Sequence, residues 1–288
     1  MGKAKKDIAA NRKPLGIIEL GTGKKEIFPT NDFFLNYLFN KPAHWEALRL
    51  MVNIIVEAYK SITPITQIRT IDGDMQVETQ YNYFTGKKDA STSQDFRIAA
   101  DKNLTYVEVQ NKARSVPPIE NRAIEYFGFS LAHNRGKDVT QMWILAEDVD
   151  SLLNGKTFAN YILGDEETGA RYPLNNNLMF VSLRRLEVKR RNTEAGELAA
   201  FLLGKNISPR HEAVKKVIEM FGEGFNTFRD DKEAREKMTI LEEREDIGIE
   251  KGLEIAQMHQ QGYSAEEIAN AVELSVEKVK ALLSSFLD

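Results

Sequence analysis

The fold is decided by residues 94–110, which read QDFRIAADKNLTYVEVQ. Two segments of alternating apolar and polar residues flank Asp101-Lys-Asn103, a sequence suited to a tight turn. A turn centred between Asp101 and Lys102 predicts an antiparallel pair of strands, whether its loop has two or four residues. In that register, Asp95 lies directly opposite Glu108 on the same face of the sheet.

Two carboxylates in this arrangement favour a bound cation. Side chains at paired positions have Cβ atoms roughly 4.5–5.5 Å apart, and like charges there are destabilising. Mg²⁺, with Mn²⁺ as a substitute, suits one or two carboxylates together with water and phosphate. Alternation places Gln110 and Lys112 on the face of Glu108, and it directs Val107 and Val109 into the core. The pattern indicates metal-assisted phosphodiester hydrolysis, with a solvated polar sheet face as the alternative.

The remainder of the chain predicts an α/β core followed by helices. Helical spacing covers residues 33–39, 42–59 and 119–134; strand-like patterns cover parts of 66–112, 139–146 and 178–183; from Glu194 onward the chain is almost entirely helical. The domains expected are a flexible basic arm over 1–13, an α/β domain over 14–192 and a helical C-terminal region over 193–288. The last region ends in a helix-turn-helix-like unit that begins with the capping box Ser264-Ala-Glu-Glu267.

Composition excludes several classes of protein. The 288 residues are 42% hydrophobic and 28% charged, as in an average globular protein, so fibrous and wholly disordered chains are excluded. No run of about 18 apolar residues occurs, and we expect neither a membrane span nor a secretory signal, hence a cytoplasmic protein. The absence of cysteine excludes disulfides, thiolate zinc sites and cysteine nucleophiles.

Charge is distributed unevenly along the chain. Asp230 to Asp288 carry 15 acidic and 7 basic residues, whereas the preceding part carries 28 acidic and 32 basic residues. A polyanion such as DNA is therefore expected to meet the body of the protein rather than its tail. The apolar positions of the acidic tail predict that the C-terminal helices assemble the protein into a homo-oligomer.

Several of these motifs, taken together, resemble a known family. Asp95 followed by Glu108-Val-Gln110 is similar to the D…E-x-Q signature of the Rpn recombination-promoting nucleases, also described as PD-(D/E)XK nuclease family transposases. Residues 32–39 (DFFLNYLF) resemble the opening motif of that family, and Arg122 to Tyr126 resembles its R-x-x-x-Y helix. Residues 249–283 resemble its helical tail.

This resemblance implies a restriction-endonuclease-like fold, a mixed sheet flanked by helices, and magnesium-dependent cleavage of DNA. Carried onto this sequence, Asp95 and Glu108 bind the metal, and Asp32 is an accessory acid from the first helix. Gln110 takes the place of the superfamily lysine but carries no charge. Charge stabilisation is therefore assigned to Lys112 or Arg122. Asn36 stands where the family usually has lysine.

Further basic and acidic residues are candidates for binding. One short basic segment is predicted to bind the DNA backbone through Arg184, Arg185, Lys189, Arg190 and Arg191. The alternative is that this segment is only solvated. Arg122 either reaches a phosphate or forms a surface salt bridge. Asp72, Asp74 and Glu78 suit a turn better than a second metal site, because Asp-Gly-Asp favours turns. The competing function is a catalytically degenerate nuclease fold that binds DNA or a protein without cutting.

Overall fold

The computed structural model describes residues 12–64, 66–82, 93–100, 103–112, 118–163, 167, 175–272 and 274–285. Its strands are β1 (Gly16–Leu20), β2 (Gly23–Ile27), β3 (Met75–Asn82), β4 (Ser93–Ala100), β5 (Asn103–Gln110), β6 (Asp138–Leu145), β7 (Phe158–Ile162) and β8 (Asn176–Ser182). Its α-helices are α1 (Asp32–Phe39), α2 (Trp45–Lys60), α3 (Ile119–His133), α4 (Asp150–Leu153), α5 (Leu183–Lys189), α6 (Glu194–Leu202), α7 (Glu212–Asp230), α8 (Lys232–Gln260), α9 (Ala265–Val272) and α10 (Val276–Ser285). A 3₁₀ turn, Pro42–His44, precedes α2.

Six strands form a mixed sheet in the order β3-β4-β5-β6-β8-β7, and β1 pairs with β2 in a separate hairpin. Strands β5, β6 and β8 are parallel, while β3, β4 and β7 pair antiparallel with their neighbours. The protein is therefore α/β, with a mixed sheet flanked by helices and a helical C-terminal region, as predicted.

The register predicted for the central hairpin is confirmed along the described ladder. Phe96 pairs with Val107, and the ladder continues to Ala100 opposite Asn103. The turn residues 101–102 lie outside the described residues, as do residues 1–11 of the predicted basic arm.

Helices cover both faces of the sheet. The connection from β5 to β6 contains α3, and its Tyr126 stacks on Trp143 of β6 with ring centroids 6.0 Å apart. The opposite face packs against α1, where the Phe39 ring lies 5.2 Å from the ring of Phe96. Because both faces are covered, strand β5 is almost continuously buried.

The position of α1 depends on a later part of the chain. Asn31 caps this helix by accepting a hydrogen bond from the backbone N–H of Phe34 at 2.9 Å. The Phe34 ring packs against Phe221 of α7 at 6.0 Å between centroids. A Cβ added at Gly224 of α7 would lie only 2.1 Å from Leu38 Cδ1, so glycine permits the close approach of the two helices.

Three strands were not predicted from the sequence: β1, β2 and β7. Each has only five residues, and β7 reads FANYI without strict alternation. Pairing with β8 stabilises β7, so the signal for this strand lies in its neighbour rather than in its own residues.

The chain divides into two compact units. One comprises Met1–Ile18 and Lys25–Asp230, and the other comprises Glu19–Lys24 and Asp231–Asp288. Helices α6 and α7, which sequence analysis grouped with the C-terminal region, thus belong to the unit that contains the sheet.

The second unit has a small apolar core of its own, formed by Ile255, Ile268, Ala269, Val272, Val279 and Leu283. The predicted capping box is present: Glu267 Oε2 accepts a hydrogen bond from the backbone N–H of Ser264 at 2.8 Å, and Ser264 Oγ accepts one from the Glu267 N–H at 3.3 Å. Within the described residues, none of the helices has the length and apolar character needed to cross a membrane.

Candidate active site

The candidate site lies where strands β4 and β5 stop pairing through their backbones. The described ladder of paired backbones ends at Phe96 and Val107. Beyond it, side-chain carboxylates accept the hydrogen bonds that join the two strands. The backbone N–H of Asp95 donates to Glu108 Oε2 at 3.1 Å, and the N–H of Val109 donates to Asp95 Oδ2 at 2.9 Å. The structure thus brings Asp95 and Glu108 together at the positions given by the predicted register.

The site is enclosed by the protein. Glu108 is only 4% exposed, and Asp95 is partly buried. The alternative of a solvated sheet face is therefore wrong, because α3 covers the face on which Glu108 lies. Val107 and Val109, on the other face, are buried as predicted.

Burial raises the pKa of the Asp95 carboxyl to about 7, and the nearby charge of Asp32 adds to the effect. Burial also raises the pKa of Glu108 well above its ordinary value, with the charge of Asp95 as the second cause. Arg122 acts in the opposite direction on the pKa of both carboxyls without cancelling the rise. The pair thus binds protons more readily than exposed carboxylates do, and a divalent cation would compete with those protons.

Asp32 reaches this site from the first turn of α1. Asn111, the residue after β5, donates from Nδ2 to Asp32 Oδ1 at 3.2 Å and also to the carbonyl oxygen of Thr30. This contact ties the start of α1 to the end of β5. Sequence analysis missed Asn111, although its place directly after the E-x-Q motif is a signal for such a role.

Arg122 of α3 is the cation nearest to the carboxylates. Its Nη2 lies 2.5 Å from Glu108 Oε1, and its Nη1 donates to Gln110 Oε1 at 3.2 Å. The guanidinium also lies 5.6 Å from the ring centre of Tyr126 and 5.4 Å from that of Trp143. Of the two alternatives for Arg122, the structure thus shows a salt bridge, but a largely buried one rather than one at the surface: the Arg122 side chain is 18% exposed.

The charge on Arg122 is maintained by these neighbours. Burial lowers the pKa of Arg122, but the carboxylate of Glu108 and the interaction with Tyr126 outweigh it, so the pKa is raised overall. Burial and the Glu108 charge raise the pKa of Tyr126, which therefore keeps its proton. A protonated guanidinium thus stands permanently beside Glu108.

Gln110 and Lys112 lie at the end of β5. The amide of Gln110 is oriented at both ends, because its oxygen accepts from Arg122 and its nitrogen donates to the carbonyl of Lys112 at 3.1 Å. Lys112 is exposed directly after the strand. Gln110 is therefore a positioning group, whereas Lys112 faces solvent.

The described side chains of this site do not by themselves form a complete set of metal ligands. Among the residues that the structure describes, no group of three or more His, Asp and Glu side chains is close enough to hold a metal ion. Asp95 and Glu108 meet directly, and Asp32 acts on them through its charge. A cation held by the pair would complete its coordination with water and phosphate oxygens, as Mg²⁺ commonly does.

The predicted basic patch is not one surface. Arg184 lies 3.4 Å from Glu147 and donates to the carbonyl of Ala146 at 3.0 Å. Arg185 is held instead by Asp148 at 2.7 Å and by Asp150 at 2.5 Å.

The rest of the segment points elsewhere. Lys189 and Arg190 line a cavity of about 770 Å³. Arg190 also donates to Ser61 Oγ at 2.9 Å. Arg191 is exposed. The single backbone-binding patch predicted from sequence is therefore corrected to separate sites, since successive residues of α5 and its end face different directions.

The acidic residues before β4 form a turn and an ion pair. Thr70 Oγ1 donates to Asp72 at 3.1 Å, and Gly73 adopts a positive φ of 71°. Glu78 lies 3.2 Å from Arg97. These contacts agree with the turn interpretation of the Asp-Gly-Asp sequence.

No family model, no curated protein and no solved structure matches this chain.

Proposed function

We propose that this protein is a magnesium-dependent DNA endonuclease, built on a restriction-endonuclease-like core and linked to recombination or mobile elements as in the Rpn nucleases. The observation that carries the proposal is the pair of the partly buried Asp95 and the buried Glu108, placed side by side with Asp32 close by. Like-charged carboxylates brought together in a protein interior are typical of a functional site.

The location of the pair supports the same proposal. Glu108 lies near the carboxyl end of β5, in the parallel part of the sheet formed by β5, β6 and β8. Ligands of open α/β sheets bind outside the carboxyl ends of parallel strands. A substrate phosphate approaching this edge would meet the carboxylate pair.

The residues of the site suit Mg²⁺ or Mn²⁺, because Asp95 and Glu108 offer hard oxygen ligands and their repulsion falls when a cation binds. The ion would supply a more acidic bound water and would neutralise charge on the phosphate. Gln110, held between Arg122 and the Lys112 carbonyl, would orient a water or a phosphate oxygen. Arg122 would provide the positive charge that the superfamily lysine provides elsewhere.

The test is nicking of supercoiled plasmid in Mg²⁺, with EDTA as the metal-free reaction. Glu108→Ala is expected to abolish nicking, while Gln110→Ala should only reduce it, since a neutral amide positions groups but does not hold the metal. Glu125→Gln is the matched control, because it removes an exposed carboxylate from the same covering helix. Equal residual activity in the Glu108 and Gln110 variants would contradict these roles.

A second candidate function is a degenerate nuclease fold that binds DNA without cutting. The observation that favours it is the ion pair between Arg122 and Glu108, since the guanidinium takes one oxygen of a proposed metal ligand. Salt-sensitive DNA binding with no nicking in Mg²⁺ or Mn²⁺ would establish this function in place of the nuclease.

A further inference from the structure

A cavity of about 650 Å³ adjoins the candidate active site. Its lining includes Asn111 and Ala146, the residues that directly follow β5 and β6. Asn111 is also the residue that donates to Asp32, and the N–H of Ala146 donates to the carbonyl of Gln110 at 2.9 Å. The cavity therefore continues the edge of the sheet at which the carboxylates lie, and its volume falls within the usual range of ligand sites.

Three cations from distant parts of the sequence converge on this cavity: Arg12, Arg184 and Lys205. The lining also contains two acids, Glu147 and Glu187, so one positive charge remains in excess. Glu187 is buried and lies 2.7 Å from Lys205.

The pair of Arg184 and Glu147 is weaker. The two side chains are 3.4 Å apart and about 40% exposed. Exposed ion pairs of this kind contribute little stability, so Arg184 can exchange its partner for a stronger anion.

Arg12 is held in place without losing its hydrogen-bonding capacity. Its guanidinium lies 4.1 Å from the ring centre of Phe28, and its Nε donates to the carbonyl of Leu203 at 3.2 Å. In the part of the chain that the structure describes, no group accepts a hydrogen bond from its two terminal nitrogens. A fixed guanidinium with available donors matches the geometry of a phosphate.

The two arginines repel each other. Burial lowers the pKa of Arg12, the charge of Arg184 lowers that pKa further, and the charge of Glu147 acts in the opposite direction. A phosphate between the guanidiniums would remove the remaining repulsion, much as a cation would do between Asp95 and Glu108. The apolar surface of Val188 and Leu203 in the same lining is available to a sugar or a base.

We infer that this cavity binds a backbone phosphate of the nucleic acid, next to the phosphodiester that the carboxylates address, through Arg12 and Arg184. The inference rests on the proposed function and assigns a substrate contact to the same site. By this inference Arg184 contacts the nucleic acid at this cavity, whereas Arg185, Lys189 and Arg190 face other surfaces.

The test is binding of a fluorescein-labelled DNA duplex, followed by anisotropy in EDTA at several salt concentrations. Arg184→Gln and Arg12→Gln are each expected to weaken binding roughly tenfold at low salt and to reduce the slope of log affinity against log salt by about 1. Arg184→Lys should keep that slope, since it keeps the charge. Arg135→Gln is the matched control, because Arg135 is exposed in the turn before β6, at the opposite end of the parallel strands.

The outcomes separate this inference from the proposed function. If the wild type does not nick plasmid but Arg184→Gln and Arg12→Gln lose affinity with a shallower slope, the cavity inference stands and the nuclease proposal fails. If the wild type nicks plasmid and both variants bind as Arg135→Gln does, the cavity inference is overturned alone. A wild type that does not bind the duplex also overturns it. Thermal melting of each variant identifies any loss of affinity that comes from unfolding.

Discussion

Two buried glutamates in this protein have opposite electrostatic environments. Glu108 is 4% exposed and Glu197, in α6, is 7% exposed, and an arginine contacts each of them. Burial alone would raise the pKa of Glu197, but hydrogen bonds from His211 and Arg210, including both backbone N–H groups, lower it to about 2. The pKa of Glu108 is instead raised, by burial and by the charge of Asp95.

The difference lies in the neighbours other than the arginine. Glu197 accepts from the N–H of Arg210 at 3.0 Å, from the N–H of His211 at 3.2 Å and from Arg210 Nε at 2.9 Å, and His211 Nδ1 lies 2.9 Å from it. Glu108 accepts from Arg122 and from one backbone N–H, that of Asp95, but it also lies beside a second carboxylate. A carboxylate surrounded by donors is stabilised in its charged form, whereas a carboxylate kept beside another one is destabilised in that form, as expected if the metal site proposed above is correct.

The largest difference expected between Glu197 and Glu108 is in the free energy of unfolding of their variants. Glu197→Gln is expected to lower the free energy of unfolding by about 3 kcal/mol at pH 8, because a pKa held about two units low reflects strong interactions of the charged form. Glu108→Gln should not lower it, since burial and the repulsion from Asp95 outweigh the attraction to Arg122. Urea unfolding in EDTA measures both. Equal losses in the two variants would mean that Glu108 is also a structural carboxylate.

A smaller effect is expected on the pH dependence of stability. An acid whose pKa is raised on folding stabilises the folded state at low pH, and this contribution disappears as the pH rises from about 4 to 7. Asp95→Asn should reduce this decline, leaving the part due to Glu108, and should make the metal-free protein more stable than the wild type at pH 8 by about 2 kcal/mol. Melting in EDTA between pH 4.5 and 8 measures it. A wild type that gains stability relative to Asp95→Asn across this range would contradict the assignment.

The smallest effect is that of added metal. Mg²⁺ at ten times its dissociation constant should stabilise the wild type by about 1.4 kcal/mol. Asp95→Asn and Glu108→Gln should lose this response, because each removes a charged ligand. Glu197→Gln should retain it despite its lower stability, which makes this variant the control for folding. A metal response that survives in both site variants would place the ion elsewhere.

Much of the fold was available from local patterns. Alternation on either side of residues 101–102 predicted the register of β4 and β5, and that register predicted the meeting of Asp95 with Glu108. Burial of Glu108 was not predictable in this way, because it depends on α3 crossing over the sheet. The same applies to β7, which depends on β8.

The binding residues were harder to predict than the acids. Arg12, Arg184 and Lys205 line one cavity although they are far apart in sequence. The adjacent residues Arg184 and Arg185 contact different acids, because neighbours on a helix point in directions about 100° apart. A run of basic residues in the sequence indicates local charge, but the geometry of the helix determines which of those residues lie on the same surface.

The packing of α1 against α7 has a consequence for the newly made chain. Asp32 is synthesised early, but the helix that begins with it rests on Phe221, Phe225 and Phe228, which are added almost two hundred residues later. A ribosome that has reached the end of β8 has synthesised every strand of the sheet but not yet the support for α1. A nascent chain therefore completes the support of Asp32 only after α7 has left the exit tunnel, so the nuclease activity proposed above would appear only when the chain is nearly finished.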